Sequence, residues 1–430
     1  MKSFFKSIVV SILVFEAKIL LKRKSPKIVA ITGSVGKTST KDAIYAAIKS
    51  HVYARKSEKS FNSDIGVPLT VLGLRNAWNN PFFWIRNIID GFFTALFSRS
   101  YPEVLVLETG IDRPGDMGKL TSWIKPDVVV LTRLPAVPVH VEYFSSPQAV
   151  ITEKMKLAHA LKPDGVLIYN NDDTLITNEL PEILPRKVGF ARYLETDFTA
   201  QSDQTVYADD IPIGVRFSLK HSDNTYTINI NRTIGTQHLY ACSAALAVAD
   251  ELSIPLPAAI ESLETLQTPP GRMRLLPGLK STIIIDDTYN SSPTAAEHAL
   301  QALHEIKHAN RKIAVLGDML ELGKYSTDAH HQLGTQVSKT ADILFTVGVR
   351  ARQIAEGALT GGMSEKHIFQ YDDVMRAGRE LQSLLKPGDV VLVKASQGIR
   401  AERIVEEVMA EPEHAETLLV RQDLDWKQRP

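Results

Sequence analysis

The run Lys27 to Thr32 (KIVAIT) is short and rich in β-branched residues, and Gly33-Ser34-Val35-Gly36-Lys37-Thr38-Ser39-Thr40 follows it at once. The apolar spacing of the next stretch predicts a helix over about Ser39 to Ser50. Strand, glycine turn, Gly-Lys-Thr and helix, in that order, restrict this part of the chain to an α/β nucleotide-binding fold. The glycines let backbone N–H groups turn inward onto oxygen, and the helix N-terminus adds partial positive charge. Gly33, Ser34, Gly36, Lys37, Thr38 and Ser39 are therefore the expected cradle for the phosphates of ATP. Lys37 is expected on the β- and γ-phosphates, and the Thr38 hydroxyl on Mg²⁺. The turn is two residues shorter than the common G-x₄-G-K-[ST] spacing.

At roughly 150 residues per domain, 430 residues imply two to three domains. With 44% apolar and 23% charged residues the chain is an ordinary globular one. Forty-nine basic residues cancel 49 acidic ones, which removes the crude electrostatic case for nucleic acid as a partner. One cysteine, Cys242, excludes a disulfide framework and a multi-cysteine zinc site, and it fits a reducing, cytoplasmic setting. Locally the charge is uneven. Residues 1–27 hold seven basic side chains against Glu16 alone, and the last thirty residues are acid-rich and read as a solvated tail.

The apolar run Ile8 to Phe15 falls short of the roughly 20 residues a spanning helix needs, and no cleavage signal follows it. Phe4, Ile8, Ile12, Phe15 and Ile19 share one helical face between basic ends. That pattern suits a helix on the inner face of a membrane, or one docked on the protein's own core. In 82–97, Phe82, Ile85, Ile88, Ile89, Phe92, Phe93, Leu96 and Phe97 recur at helical spacing. Such a stripe is expected in the core, with membrane contact by 1–24 and 82–97, or packing of the two segments on each other, as the alternatives.

A second strand, Val104 to Leu107, ends in Glu108, and a carboxylate at the carboxyl end of a buried strand points into the crevice where α/β proteins bind ligands. Glu108 is thus an expected Mg²⁺ ligand. A third strand, Val128 to Leu131, leads to His140, and Lys154 follows in a helical stretch; spacing alone assigns neither a role. A fourth strand starts at Gly165, and residues 190–232 alternate like a small antiparallel unit. Thr268-Pro269-Pro270-Gly271 reads as a boundary. The expected organisation is an N-terminal hydrophobic and basic helix (1–26), a central P-loop ATPase domain with a mixed or parallel sheet (27–268), and a C-terminal Rossmann-like α/β domain (269–430). In the last, strands near 282–286, 313–316, 343–347 and 390–393 end in polar clusters that place a second half-site along one edge.

The ordered set ITGSVGKTSTK (31–41), FNSDIGVPLT (61–70), VLETG (106–110), HVEYFSS (140–146) with Lys154, IYNNDD (168–173), IIDDTYNSSP (284–293), VLGDMLELG (315–323) and VLVKASQGIRAERI (391–404) resembles the Mur ligase family. The resemblance covers about 27–410, and the DDTYNSSP and LGDMLELG stretches are similar to its D-alanyl-D-alanine-adding branch. It implies ATP-dependent amide formation through an acyl phosphate, from a muramyl-peptide carboxylate and D-alanyl-D-alanine, in peptidoglycan precursor synthesis. It further implies a first Mg²⁺ at Thr38 and Glu108, a second that His140 helps hold, and a Lys154 that reacts with CO₂ to form a carbamate and becomes an anionic metal ligand. By the same resemblance Arg272, Asp287 and Asn290 contact the nucleotide, and Lys394 and Ser396 meet the incoming amine.

The sequence departs from the family pattern in three places. Only 26 residues precede the phosphate strand, so the family's N-terminal uridine-nucleotide-binding domain is expected to have no counterpart; a partner that supplies that grip, the apolar segments replacing it at a membrane, or a different or lipid-linked acceptor are the readings this leaves. The family's GxHNxxN reads Gly235-Thr236-Gln237-His238-Leu239-Tyr240-Ala241, and these changes bear on the adenine side. A non-catalytic nucleotide-binding module is the remaining reading they allow. The threonine-asparagine before the metal histidine reads Thr132-Arg133, and Gln397 stands where an arginine is usual.

Overall fold

The computed structural model describes residues 2–58, 62–78 and 80–427. Among them, fifteen strands form two sheets. The first contains β1 (Lys27–Thr32), β2 (Ala54–Lys56), β3 (Val104–Glu108), β4 (Val128–Leu131), β5 (Val166–Asn170), β6 (Arg186–Ala191), β7 (Phe198–Ala208), β8 (Ile211–His221) and β9 (Asn224–Asn231). Its order is β2-β3-β1-β4-β5-β6-β7-β8-β9, parallel up to β7 and antiparallel beyond. The antiparallel unit expected over 190–232 therefore extends the central sheet rather than standing apart.

The second sheet contains β10 (Arg274–Gly278), β11 (Thr282–Asp287), β12 (Arg311–Gly317), β13 (Ile343–Val347), β14 (Ile368–Tyr371) and β15 (Asp389–Lys394). Its order is β10-β11-β15-β12-β13-β14, and only β10 runs antiparallel to its neighbour. Register sets up chemistry here, because Asp287 pairs directly with Lys394.

Alternation along the central strands feeds two cores. Val29, Ile31, Val104, Val106, Val128 and Val130 face one side, with α2 (Lys37–Ile48) and the alanine-rich helix Gln237–Glu251. Ile28, Ala30, Leu105, Leu107, Val129 and Leu131 face the other, with α1 (Lys2–Lys24), α3 (Gly66–Leu72), α4 (Pro81–Phe97) and the helix Pro147–His159. Period-two burial on both faces is what a covered parallel sheet requires.

Three expectations need correction. Helix α1 does dock on the protein, but through Val9, Leu13, Ala17 and Leu20; Ile8 and Phe15, on the expected apolar stripe, stay exposed, and the Phe4 side chain lies outside the described residues. The 82–97 stripe is not core. Helix α4 buries Trp84, Asn87, Gly91 and Ala95 against α1 and α3, keeps Ile88 half-buried on the core, and turns Phe82, Ile85, Ile89, Phe92, Phe93, Leu96 and Phe97 outward. Trp84 takes the inward position because its indole N–H donates to the Trp78 carbonyl at 2.9 Å. The acid-rich C-terminus is not a solvated tail. Ile404, Val405, Val408 and Met409 enter the core of the second sheet, and buried Arg421 donates to Glu402 and to the Thr288 carbonyl.

Candidate active site

The turn after β1 has the backbone a phosphate cradle needs. Gly33 has φ +146°, and a Cβ there would stand 2.1 Å from Thr132 Oγ1, so only glycine fits; Gly36, at φ +88°, caps α2. The loop is pinned from β4: Ser34 donates its N–H to the Arg133 carbonyl (2.7 Å), and Thr132 Oγ1 donates to the Val35 carbonyl (2.7 Å).

Two lysines converge on one carbonyl. Lys37 Nζ and Lys154 Nζ donate to Gly33 O at 2.9 and 3.1 Å. Burial lowers the pKa of both ammonium groups. For Lys154, held well below its ordinary value, the Lys37 charge adds to the effect of burial, whereas for Lys37 the Glu108 carboxylate works against it. Thr38 Oγ1 donates to Glu108 Oε1 at 3.1 Å, and Arg272 donates to Thr38 Oγ1 at 3.2 Å. The other Glu108 oxygen is buried without a hydrogen bond and faces the ammonium of buried Lys41 at 3.4 Å.

The expected residues meet around one cavity of about 310 Å³ between the two sheets. Ser34, Gly36, Lys37, Thr38, Ser39, Glu108, His140 and Lys154 line it from the first sheet, and Arg272, Asp287, Asn290 and Lys394 from the second. Gly33 is not part of the lining; its carbonyl instead holds the ammonium groups of Lys37 and Lys154. Lys394 donates to Asp287 Oδ2 (2.5 Å) and to the Asn290 carbonyl (2.9 Å). Ser396 lies behind the wall: its hydroxyl accepts from the Leu320 N–H at 2.9 Å and ties two loops together. His140 stands at the rim, with Nδ1 2.7 Å from Glu321 Oε2 and Nε2 3.8 Å from Asp112.

Of the altered adenine-side residues, Gln237 lines the cavity, while His238 is a core histidine. Its Nε2 lies 2.7 Å from Thr233 Oγ1, and burial lowers its pKa to about 4. Arg133 contacts His298 Nε2 at 3.0 Å, and burial, with Arg133 second, lowers His298 to about 4, so a neutral ring accepts that bond.

Sequence reading missed Lys41, Tyr289 and Glu321. Lys41 sits three residues after Thr38, on the same helical face, and that spacing was the available signal. Tyr289 stacks under the Arg272 guanidinium at 4.0 Å, a contact between neighbours across a turn that no periodicity announces. A second cavity of about 910 Å³ shares Thr38, Arg272, Tyr289 and Gln397 with the first and extends to Ile65, Trp78, Leu419 and Trp426.

A glycine-rich phosphate loop on one α/β domain faces a lysine–aspartate pair at the strand ends of another across one cavity, and the comparisons identify this pairing as that of an ATP-dependent ligase. The model of the Mur ligase middle domain matches residues 87–249, and that of the Mur ligase glutamate ligase domain matches 271–397. A Bacillus subtilis protein named UDP-N-acetylmuramoyl-tripeptide--D-alanyl-D-alanine ligase is 30% identical over 400 residues, covering 92% of this chain and 79% of its own length. The Escherichia coli protein of the same name is 26% identical and covers 88% of this chain and 76% of its own. Among solved structures, a MurF ligase of Thermotoga maritima in complex with ADP is similar at a TM-score of 0.75 and 26% identity, covering 93% of this chain and 83% of its own. The chain belongs to the Mur ligase family.

Proposed function

We propose that this chain joins D-alanyl-D-alanine to the carboxylate of a UDP-N-acetylmuramoyl tripeptide, in the cytoplasm, with ATP. A carboxylate is a poor electrophile because oxide leaves badly. Transfer of the γ-phosphoryl group makes an acyl phosphate, the dipeptide amine attacks its carbonyl carbon, and phosphate departs as the amide forms. The protein's part is positioning and charge neutralisation. Lys37 and the backbone of Gly33 to Ser39 would hold the triphosphate, Arg272 its terminal group, and Asn290 the nucleotide. Asp287 would contact the nucleotide as well, and Lys394, with Ser396 behind it, would meet the incoming amine.

Oxygen donors suit Mg²⁺, and the Thr38 hydroxyl on Glu108 Oε1, with the other Glu108 oxygen held only by the Lys41 ammonium, fits such a cation. Thr38 and Glu108 would hold it, His140 would help hold a second, and bound Mg²⁺ would neutralise phosphate charge. Lys154 fits carbamate formation. Only an uncharged amine attacks CO₂, losing a proton as the N–C bond forms, and burial beside Lys37 favours the uncharged form.

The observation that carries this reading is the convergence of Lys37, Thr38, Glu108 and Lys154 on a cavity closed by Asp287 and Lys394. ADP release that requires both the acceptor and D-alanyl-D-alanine, with the amide product found by mass, is the expected result. ADP release indifferent to both would refute the ligase reading. A lipid-linked muramyl peptide is the second reading, favoured because the larger cavity extends to Trp78, just before α4 and its exposed apolar face. Turnover on the lipid-linked but not the uridine-linked tripeptide would select it.

A further inference from the structure

Helix α4 is built inside out. Its buried stripe is Trp84, Asn87, Gly91 and Ala95, whereas Ile85, Ile89, Phe92, Phe93, Leu96 and Phe97 point to solvent. A helix on a soluble protein places its largest apolar side chains on the core. Here the inward residues are mostly small or polar, because α1 lies close. A Cβ on Gly91 would fall 2.2 Å from the Glu16 carboxylate. Helix α1 adds an outward stripe at three- and four-residue spacing: Ile8, Ser11, Phe15, Lys18 and Lys22, all exposed. Its basic end closes over the C-terminus of α4, where Arg23 donates to Ser98 O and Oγ at 2.6 Å and Lys24 to the Arg99 carbonyl at 2.7 Å. On α4 the Phe92, Phe93 and Phe97 rings follow one another at 5.9 Å between centroids, and exposed apolar side chains grouped in this way mark an interaction site.

Charge identifies the occupant. Segments 1–27 and 75–101 together hold ten basic residues against two acidic ones. Of the two acids, Glu16 is buried and Asp90 is paired with Arg86 at 3.2 Å; Lys6 pairs with Asp64 at 3.2 Å, and exposed Lys18 and Lys22 keep the rim cationic. A second copy of the same face would bring like charges together. An anionic bilayer accepts both features: acyl chains take the phenylalanines, and headgroup phosphates take the lysines. No described helix is long and apolar enough to cross a membrane, which leaves a helix lying in the interface.

We infer that the α1–α4 face is a lipid-docking surface, with α4 seated between headgroups and acyl chains of an anionic bilayer and Lys18 and Lys22 on the phosphates. Docking brings the larger cavity to the membrane surface, because its Trp78 wall is tied to α4 through Trp84. The inference stands apart from the choice of acceptor.

The test is co-sedimentation of the full chain with vesicles of phosphatidylglycerol and phosphatidylcholine, and with pure phosphatidylcholine, at low and high salt. Sedimentation velocity without lipid accompanies it. Binding to the anionic vesicles that weakens with salt is expected. Phe92→Ser/Phe93→Ser/Phe97→Ser should reduce partition by more than about tenfold, and Lys18→Gln/Lys22→Gln by about fivefold per lysine. The triple variant should keep its turnover of soluble substrates, so failure here is separable from failure of the ligase reading. No binding to anionic vesicles, or equal binding by the triple variant, would overturn the inference. So would self-association of the wild type that the triple variant abolishes and that excludes vesicles. The lipid and salt dependence of the unmodified chain decides the matter even if the triple variant misfolds.

Discussion

Glu321 and His140 sit on loops of different sheets, and their side chains meet with 2.7 Å between Oε2 and Nδ1. Both backbones are left-handed there, with φ +64° and +71°, and the Glu142 N–H closes the junction on the Glu321 carbonyl at 3.3 Å. The contact from His140 holds the Glu321 carboxyl below the usual carboxylate range. With Nδ1 turned to Glu321, His140 Nε2 lies on the Asp112 side, 3.8 Å from its carboxylate. A residue of the second domain thus orients a proposed metal ligand of the first.

Replacing Glu321 should therefore act through the metal. Glu321→Ala is expected to raise the Mg²⁺ concentration for half-maximal turnover by about 10–100-fold while leaving the thermal midpoint nearly unchanged. Glu321→Gln, which keeps an acceptor, should fall between. A Mg²⁺ titration of initial rate reads this directly, and an unchanged Mg²⁺ dependence in Glu321→Ala would reject the orienting role.

Lys37→Ala removes a cation from the cradle. The expected loss is of order 10²–10³ in kcat, with ADP affinity also reduced. Calorimetric titration with ADP separates this from misfolding. A variant that turns over at the wild-type rate would mean that the short loop binds phosphate by its backbone alone.

Lys154 sets function against stability. Its pKa is held well below the ordinary lysine value, so the folded state prefers the neutral amine. Relative to the unfolded chain, stability is complete above the ordinary lysine pKa and declines as pH falls toward the folded value. Lys154→Met should thus raise the thermal midpoint at pH 7 while abolishing turnover, and added bicarbonate should not restore it. A carbamate carbon signal from ¹³C-bicarbonate, present in the wild type and absent from the variant, is the direct check.

Much of this site was legible because strand ends and a glycine turn are local. KIVAIT followed by GSVGKT located the cradle, and Val104 to Leu107 located Glu108. The lysine–aspartate pair was legible only as two separate candidates, since the β11–β15 register that joins Asp287 to Lys394 spans 107 residues. Glu321 was hidden for the same reason. Helix α4 was read with the right period and the wrong sign: a hydrophobic stripe shows that a face exists, and only packing shows which way it points. Burying Gly91 and Ala95 lets α1 approach closely, and that choice is tertiary.

The Asp287–Lys394 pair is buried on both sides, so breaking it strands a charge. Asp287→Ala should cost about 3–5 kcal/mol of stability, and Asp287→Ala/Lys394→Met should recover most of it, since an apolar pair of similar volume is often neutral. Denaturant unfolding of the three proteins tests the cycle. Equal stability of the single and double variants would show that Lys394 finds enough support from the Asn290 carbonyl alone.

Glu16 gives the final expectation. It is buried where α1 meets α4, one of its oxygens has no hydrogen-bond partner, and burial raises its pKa to about 7. A carboxyl whose folded pKa is raised binds its proton more tightly when folded. Stability is therefore complete below the ordinary glutamate pKa and declines as pH rises toward about 7. Glu16→Gln keeps the shape and removes the ionisation, so it should stabilise the protein by about 1–2 kcal/mol at pH 8 and leave it unchanged at pH 4. Thermal midpoints of both proteins across that range measure the difference. A gap that does not widen with pH would place the Glu16 carboxylate in water rather than between the helices.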